Sequence, residues 1–168
     1  RLIAIEKLEQ VLKILKGKTI GLLGLTFKPD TDDLRDAPAL DLIVQLTRLG
    51  AKVKAYDPII SLANPHFNLS EVTVTRYPEQ LAHNCDALVL VTEWQEFREL
   101  DYLKLASQMT TPIIIDGRNF LDPETMAAAG FYYIGIGRCS TSVGVPKPAL
   151  PTNQSDSVPH NSLKVPVA

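Results

Sequence analysis

The fold of this chain is decided by residues 18–57, which read KTIGLLGLTFKPDTDDLRDAPALDLIVQLTRLGAKVKAYD. The apolar run at residues 19–25 has the length of a buried strand. Residues 37–49 then repeat apolar side chains at helical spacing, and residues 52–56 form a second strand. Because a strand, a helix and a strand follow one another, this stretch predicts a βαβ unit with parallel strands.

The same alternation continues to the end of the predicted domain. We predict further strands at residues 72–76, 86–91, 112–116 and 131–136, and further helices at residues 78–83, 102–109 and 123–129. Asp36 and Asp122 are the predicted N-caps of two helices, and Pro38 lies in a first turn. The pattern predicts an α/β fold, a Rossmann-like open parallel sheet with helices on both faces.

Two terminal segments differ from this domain, which spans residues 18–144. Residues 1–17 predict an amphipathic helix that ends at Gly17, and we interpret it as the end of a connector from an upstream domain. The chain begins with Arg1 inside a helical pattern, which is expected of an excised domain. Residues 145–168 hold five of the twelve prolines and predict a disordered tail.

Composition narrows the class of protein. A net charge of −2 argues against a nucleic-acid partner, and the apolar runs are too short to span a membrane. Cys85 and Cys139 are too few and too far apart for a metal site or a disulfide framework. We interpret them as free thiols of a cytoplasmic protein. A nucleophilic role is the alternative, because His83 lies near one thiol and Arg138 adjoins the other.

The loop after the first strand is the first candidate for function. Residues 26–36 read TFKPDTDDLRD, and strand-to-helix loops of this length are usually functional. Lys28 and Arg35 flank a run of carboxylates in it. A classical dinucleotide site is not predicted, because Gly21 and Gly24 lack the full G-x-G-x-x-G fingerprint.

Asp57 ends the second strand, where a dinucleotide-binding domain keeps its ribose-binding acid. It lies 33 residues beyond Gly24 (57 − 24), whereas the fingerprint expects about 20. We therefore interpret Asp57 as part of an Asp-Pro turn.

Two later loops carry further candidates. Residues 116–119 read DGRN after a strand, so Arg118 and Lys28 both lie at carboxyl ends of strands in one sheet. Two converging cations suit a diphosphate, while a surface ion pair is the alternative for Arg118. Residues 92–97 read TEWQEF and place Trp94 after a buried strand, either as a hydrophobic plug or as a wall of a ligand site.

Three of these segments together resemble one family. Residues 21–39 (GLLGLTFKPDTDDLRDAPA), 92–97 and 116–119 are similar to the C-terminal UDP-sugar-binding domain of nucleotide-sugar dehydrogenases, in particular UDP-glucose 6-dehydrogenases. The resemblance covers residues 18–138. It implies a protein whose missing N-terminal domain binds NAD and which oxidises UDP-glucose to UDP-glucuronate with two NAD. It also implies a homodimer.

The resemblance assigns roles residue by residue. Phe27 and Lys28 contact the substrate, Arg118 contacts the nucleotide part, and Arg35 reaches toward NAD. The reactive cysteine of the family belongs to a motif upstream, so this chain holds no catalytic residue and is expected to be inactive alone. A sibling dehydrogenase for GDP-mannose or UDP-N-acetylmannosamine is the alternative, as is a noncatalytic nucleotide-binding module on the same fold.

Overall fold

The computed structural model describes residues 2–60 and 72–137. In these ranges the chain alternates strands and helices. The strands are β1 Thr19–Leu23, β2 Lys52–Tyr56, β3 Val72–Val74, β4 Ala87–Leu90, β5 Ile113–Asp116 and β6 Tyr132–Gly135. The helices are α1 Leu2–Leu12, α2 Pro38–Arg48, α3 Pro78–Ala82, α4 Tyr102–Gln108 and α5 Pro123–Ala128, with a 3-10 helix at Gln95–Arg98.

The six strands form one parallel sheet in the order β3-β2-β1-β4-β5-β6. β1 lies in the middle, with Ile20 opposite Val53 of β2 on one side and Ala87 of β4 on the other. This is the strand order of doubly wound nucleotide-binding domains. The predicted Rossmann-like parallel sheet is confirmed.

Two apolar clusters cover the two faces of the sheet. Ile20 and Leu22 of β1 pack with α1 and α2 in one cluster, the α1–α2 cluster. Leu23 packs with α3, α4 and α5 in the other, the α3–α5 cluster. Alternate residues of a strand point to opposite faces, and here both faces are buried. Helices on both faces are therefore confirmed, and strand residues such as Leu88 and Val89 face different clusters.

The end of the first helix differs from the prediction. α1 stops at Leu12, and Lys13 takes a left-handed φ of 65°. The chain turns here so that Leu15 can bury its side chain against the α1–α2 cluster. Gly17 does not cap the helix; with φ 79° it donates its N–H to the carbonyl of Gly50 at 2.8 Å. Tertiary burial overrode the helical pattern.

The predicted cap of α2 is also wrong. Ala37 occupies the N-cap position without a side-chain hydrogen bond, and Asp36 lies one residue earlier with φ 56°. Pro38 lies in the first turn, as predicted, and is the first residue of the helix. The cap of α5 is confirmed, because the carboxylate of Asp122 accepts a 2.8 Å hydrogen bond from the backbone N–H of Thr125.

Other differences are small. The observed strands are at most one residue shorter at the start and two residues shorter at the end than predicted, because the flanking residues leave the ladder. The 3-10 helix at Gln95–Arg98 was not predicted; it buries Phe97 on the α3–α5 side. The predicted tail at residues 145–168 lies outside the described residues.

Candidate functional site

The candidate site lies where the strand order changes direction, between β1 and β4. Ligands of open α/β sheets bind outside the carboxyl ends of the strands at such a point. Residues 24–37 follow β1, residues 91–94 follow β4 and residues 117–122 follow β5. Neighbouring strands are about 4.8 Å apart, so the loops after β1 and β5 begin about 10 Å apart. The structure brings the predicted residues Phe27, Lys28, Arg35 and Arg118 to this end of the sheet.

Asp57 holds the start of the first loop. The residue is only 4% exposed, and its Oδ2 accepts hydrogen bonds from the backbone N–H groups of Leu25 at 2.8 Å and Thr26 at 3.3 Å. Its Oδ1 accepts from the backbone N–H groups of Ile59 at 3.0 Å and Ile60 at 3.1 Å. Both carboxylate oxygens are therefore engaged inside the protein. The geometry supports the interpretation of Asp57 as a turn residue.

The segment after β4 is tied to the same place. The hydroxyl of Thr92 donates to the carbonyl of Thr26 at 2.6 Å, and the indole Nε1–H of Trp94 donates to Asp57 at 3.3 Å. Trp94 is 6% exposed and packs in the α3–α5 cluster, so of the two interpretations the structure favours the plug. Gly24, with φ 92°, is required at this crossing, because an added Cβ would lie 2.5 Å from Thr92.

Arg118 is held on one side of its guanidinium group. Its Nε–H donates to the carbonyl of Val91 at 2.9 Å, and Oε2 of Glu93 lies 2.8 Å from the same nitrogen. The single Nε hydrogen is directed at Val91. Oε2 of Glu93 therefore forms an ion pair with the guanidinium but accepts no hydrogen bond from a described residue. Within residues 2–60 and 72–137, the Nη groups of Arg118 have no acceptor. They remain available to a ligand.

The two residues before this arginine fix its backbone. Asp116 is fully buried, and its Oδ2 accepts from the backbone N–H of Leu121 at 2.8 Å and from the hydroxyl of Tyr133 at 3.0 Å. Gly117 donates its N–H to the carbonyl of Leu90 at 3.0 Å. An added Cβ on Gly117 would lie 2.7 Å from that carbonyl oxygen. Only glycine allows the loop after β5 to pass this close to β4.

Phe27 and Lys28 lie on the outer part of the first loop. Phe27 is 47% exposed, which is unusual for a large apolar side chain, and its backbone N–H donates to the carbonyl of Asp33 at 2.9 Å. That bond closes the loop. Lys28 is exposed and makes no ion pair with any described residue. Both side chains are free to contact a bound molecule.

Arg35 pairs with a carboxylate of its own loop. Its Nε and Nη2 donate to the two oxygens of Asp33 at 2.9 Å and 2.8 Å. The side-chain hydrogen bonds from Arg35 lower the pKa of Asp33 to about 2, with smaller contributions from the Arg35 backbone N–H and the charge of Lys28. The Arg35 side chain is 88% exposed, so this pair contributes little to stability.

A cavity of about 170 Å³ opens beside Arg118. Its walls are mostly apolar and come from α1, α2 and the carboxyl ends of β4, β5 and β6, and they include Leu42, Val91 and Ile136. A charged side chain at the rim of an apolar cavity is a frequent arrangement in ligand sites.

A second groove, of about 360 Å³, lies between the 3-10 helix and α5. There the guanidinium of Arg98 stacks 4.0 Å from the centre of the Phe120 ring.

The described residues offer no catalytic thiol or metal site. Cys85 is buried, its thiol donates to the carbonyl of Leu81 at 2.9 Å, and burial raises its pKa to about 11. It is a packed thiol at neutral pH. Cys139 lies outside the described residues. Within those residues, no group of three or more His, Cys, Asp or Glu could hold a metal ion, and no helix is long and apolar enough to cross a membrane.

Sequence reasoning missed Glu93, the nearest charged neighbour of Arg118. The segment at residues 92–97 was singled out for its tryptophan and for its part in the resemblance, and Glu93 was given no role. A carboxylate directly after a buried strand at the switch in strand order was the available signal. What the sequence could not show is that the loop after β5 folds back toward β4, where Arg118 meets Val91.

The chain matches a known protein family. Residues 21–123 match the model of the UDP-glucose/GDP-mannose dehydrogenase family, UDP binding domain. Among curated relatives, the UDP-glucose 6-dehydrogenase TuaD of Bacillus subtilis is 45% identical over 136 residues, which cover 80% of this chain and 29% of TuaD. The chain spans 28% to 29% of the length of the curated relatives it matches.

Solved structures share the fold. A UDP-glucose dehydrogenase from the hyperthermophilic archaeon Pyrobaculum islandicum is similar, with a TM-score of 0.66 at 28% identity over 81% of this chain and 29% of that one. A UDP-D-ManNAc dehydrogenase from Pyrococcus horikoshii has a TM-score of 0.64 at 31% identity over 80% of this chain and 29% of that one.

Proposed function

This chain belongs to the UDP-glucose/GDP-mannose dehydrogenase family as its UDP-binding domain, and we propose that it holds the UDP-sugar for a UDP-glucose 6-dehydrogenase. The full-length protein would oxidise UDP-glucose to UDP-glucuronate with two NAD. Relatives that carry this name are 40% to 45% identical to the chain over the matched residues. The proposal places the ligand at the carboxyl ends of β1, β4 and β5.

One observation carries the proposal. The Nε side of Arg118 is fixed by Val91 and Glu93, while its Nη groups have no acceptor among the described residues. A planar fork with free N–H groups suits the paired oxygens of a diphosphate. A surface arginine that served only an ion pair would not need this backbone support.

Lys28 and Phe27 act from the opposite loop. Lys28 supplies a second positive charge, which a diphosphate binds as a point charge. The exposed ring of Phe27 supplies an apolar contact to the sugar or the base. Since the loops begin about two strand spacings apart, the two side chains can approach one ligand from two sides.

The described residues do not fit NAD as their own cofactor. The dinucleotide fingerprint is absent, and both oxygens of Asp57 accept hydrogen bonds from the protein. NAD would bind mainly to an N-terminal domain, and Arg35 would reach toward it across a domain interface. The 88% exposure of the Arg35 side chain leaves it accessible for such a contact.

The contribution of this domain to catalysis is binding and positioning. Contacts to the nucleotide lie away from the reacting carbon of the sugar, and they supply binding energy that orients it. Closure against a cofactor domain excludes water from the reaction. Since the Cys85 thiol is buried and its pKa is raised to about 11, it does not serve as the nucleophile. Because the family's NAD-binding domain and reactive cysteine belong to an upstream part of the protein in this proposal, we expect the chain alone to show no NAD reduction with UDP-glucose.

A sibling substrate is the second candidate. The chain is similar in structure to a UDP-D-ManNAc dehydrogenase at 31% identity, so a UDP-N-acetylmannosamine substrate is compared with UDP-glucose in the experiment. The discriminating measurement is the affinity of the full-length protein for UDP-glucose, UDP-N-acetylmannosamine and GDP-mannose by calorimetry. Tightest binding of GDP-mannose would contradict a UDP-sugar site.

The site itself is tested by substitution. Each charge-assisted hydrogen bond contributes roughly 1.5–3 kcal/mol, so Lys28→Ala and Arg118→Ala should each weaken UDP binding about ten- to a hundredfold. Arg118→Lys should fail to restore it, because an ammonium group does not reproduce two parallel hydrogen bonds. Arg35→Ala should weaken NAD more than UDP-glucose. Unchanged UDP affinity across the Lys28 and Arg118 variants would refute the proposed function.

A further inference from the structure

We propose that Glu93 is a positioning residue for Arg118, setting the direction in which the guanidinium fork meets the diphosphate. This inference rests on the proposed function and deepens it. Oε2 of Glu93 lies 2.8 Å from Nε of Arg118, while the carbonyl of Val91 accepts the Nε hydrogen at 2.9 Å. One hydrogen-bond acceptor, the carbonyl of Val91, and one carboxylate charge, that of Glu93, lie on the Nε edge of the guanidinium and turn the opposite edge outward.

The charge distribution of the pair supports this role. Arg118 carries five N–H donors, of which one is used by Val91. Oε2 of Glu93 is buried and has no hydrogen-bond donor among the described residues, so its charge is balanced by the neighbouring guanidinium. Rotation of Arg118 away from this edge would leave a buried carboxylate oxygen without its counter-charge. That cost opposes other rotamers of the arginine.

Glu93 is itself held firmly in place. The hydroxyl of the preceding residue, Thr92, donates a hydrogen bond to the carbonyl of Thr26 at 2.6 Å. The indole N–H of the following residue, Trp94, donates one to the carboxylate of Asp57 at 3.3 Å. Both neighbours are buried. The backbone of Glu93 is therefore held on both sides, and its carboxylate keeps a fixed position beside Arg118. The same bonds connect it to the loop that carries Lys28.

A purely electrostatic role for Glu93 predicts the opposite result. A carboxylate beside a diphosphate repels it, so removal of the negative charge would strengthen UDP binding. Positioning predicts weaker binding when the carboxylate is lost, because the fork then spends part of its time in other directions. The sign of the change separates the two roles.

The experiment is a double-mutant cycle on the full-length protein, with UDP as the ligand and calorimetry at 0.15 M salt. Glu93→Gln keeps the size of the side chain and removes its charge. Because the pair is about a third exposed, we expect UDP affinity to fall about three- to tenfold. On the Arg118→Ala background the same substitution should change it by less than about twofold. Glu99→Gln is the matched control, an exposed carboxylate nearby in the chain.

A kinetic readout separates positioning from general stability. Glu93→Gln should raise KM for UDP-glucose about as much as it weakens UDP, with kcat changed far less, since the nucleotide contact is the same in ground and transition states. A loss of kcat with unchanged UDP affinity would overturn the inference. So would equal or tighter UDP binding, or an equal loss on both backgrounds.

The inference and the proposed function fail in different ways. If Arg118→Ala leaves UDP affinity unchanged, the proposed nucleotide site is wrong. If Arg118→Ala weakens UDP but Glu93→Gln does not, only the positioning role is wrong.

Discussion

Replacement of Asp57 by alanine should destabilise the domain strongly. The carboxylate accepts hydrogen bonds from four buried or half-buried backbone N–H groups, those of Leu25, Thr26, Ile59 and Ile60. Loss of the acceptor leaves these donors unpaired, at a cost of about 1 kcal/mol each where water can enter the vacated space. We therefore expect Asp57→Ala to lower the free energy of unfolding by about 4 kcal/mol. That is a large share of the roughly 5–15 kcal/mol typical of a domain.

The stability of Asp57→Asn should lie between those of the wild type and Asp57→Ala. The amide keeps one oxygen as an acceptor and turns an NH2 group toward the other N–H donors. About half of the loss, roughly 2 kcal/mol, should remain.

Urea denaturation of the 168-residue chain measures both variants. Trp94, the only tryptophan, is buried and bonded to Asp57, so its fluorescence reports directly on this region. Far-UV circular dichroism recorded in parallel checks that unfolding is two-state. In a thermal scan, a loss of 4 kcal/mol corresponds to a fall in Tm of roughly 8–16 °C for a chain of this size.

Asp32→Ala is the matched control, because Asp32 is an exposed carboxylate of the first loop. It should change stability by less than about 0.5 kcal/mol. If Asp57→Ala is as harmless as this control and instead weakens nucleotide binding, Asp57 serves a ligand and the turn argument is refuted.

Three further results are expected. The Asp33 carboxyl should titrate near pH 2 by NMR, and in Arg35→Ala its pKa should rise part of the way back toward 3.8. Because the folded-state pKa is lowered, the contribution of the Asp33–Arg35 pair to stability is present above about pH 4 and is lost as the pH falls through 2. Gly117→Ala should cost about 1–3 kcal/mol and weaken UDP binding, because its Cβ would lie 2.7 Å from the carbonyl oxygen of Leu90; an unchanged Tm would contradict the close approach. Cys85 should resist iodoacetamide at pH 8 until the chain unfolds, and rapid native labelling seen by mass spectrometry would disprove its burial.

The strands and their parallel arrangement could be predicted because a sheet covered on both faces leaves continuous apolar runs in the sequence. β2 was predicted at residues 52–56 and lies at Lys52–Tyr56. Local signals that act within one helix also worked, as Asp122 shows by capping α5.

Features that depend on distant contacts could not be predicted. The pattern of apolar residues continues past Leu12, yet the helix ends there because Leu15 turns into the cluster between α1 and α2. Asp36 has the right type and position for a cap, but the backbone conformation of the long loop before α2 moves the cap to Ala37. Neither result follows from local propensity.

The candidate site was predictable in part. Arg118 and Lys28 follow strands that the sequence identifies, so the carboxyl end of the sheet could be expected to gather them. The neighbours of Arg118 could not, because Val91 and Glu93 approach it only after β4 and β5 have paired.

The bond between Thr92 and Thr26 joins residues 66 positions apart in the chain. Closing a contact of such long sequence separation costs more chain entropy than closing a local one, so we expect it to form after the local contacts. A chain that has paired β1 with β2 but not with β4 already contains a βαβ unit, yet its first loop lacks the partner that braces it. We therefore expect the ability to bind nucleotide to return only once β4 has paired with β1, so the rate at which binding returns during refolding would time that pairing.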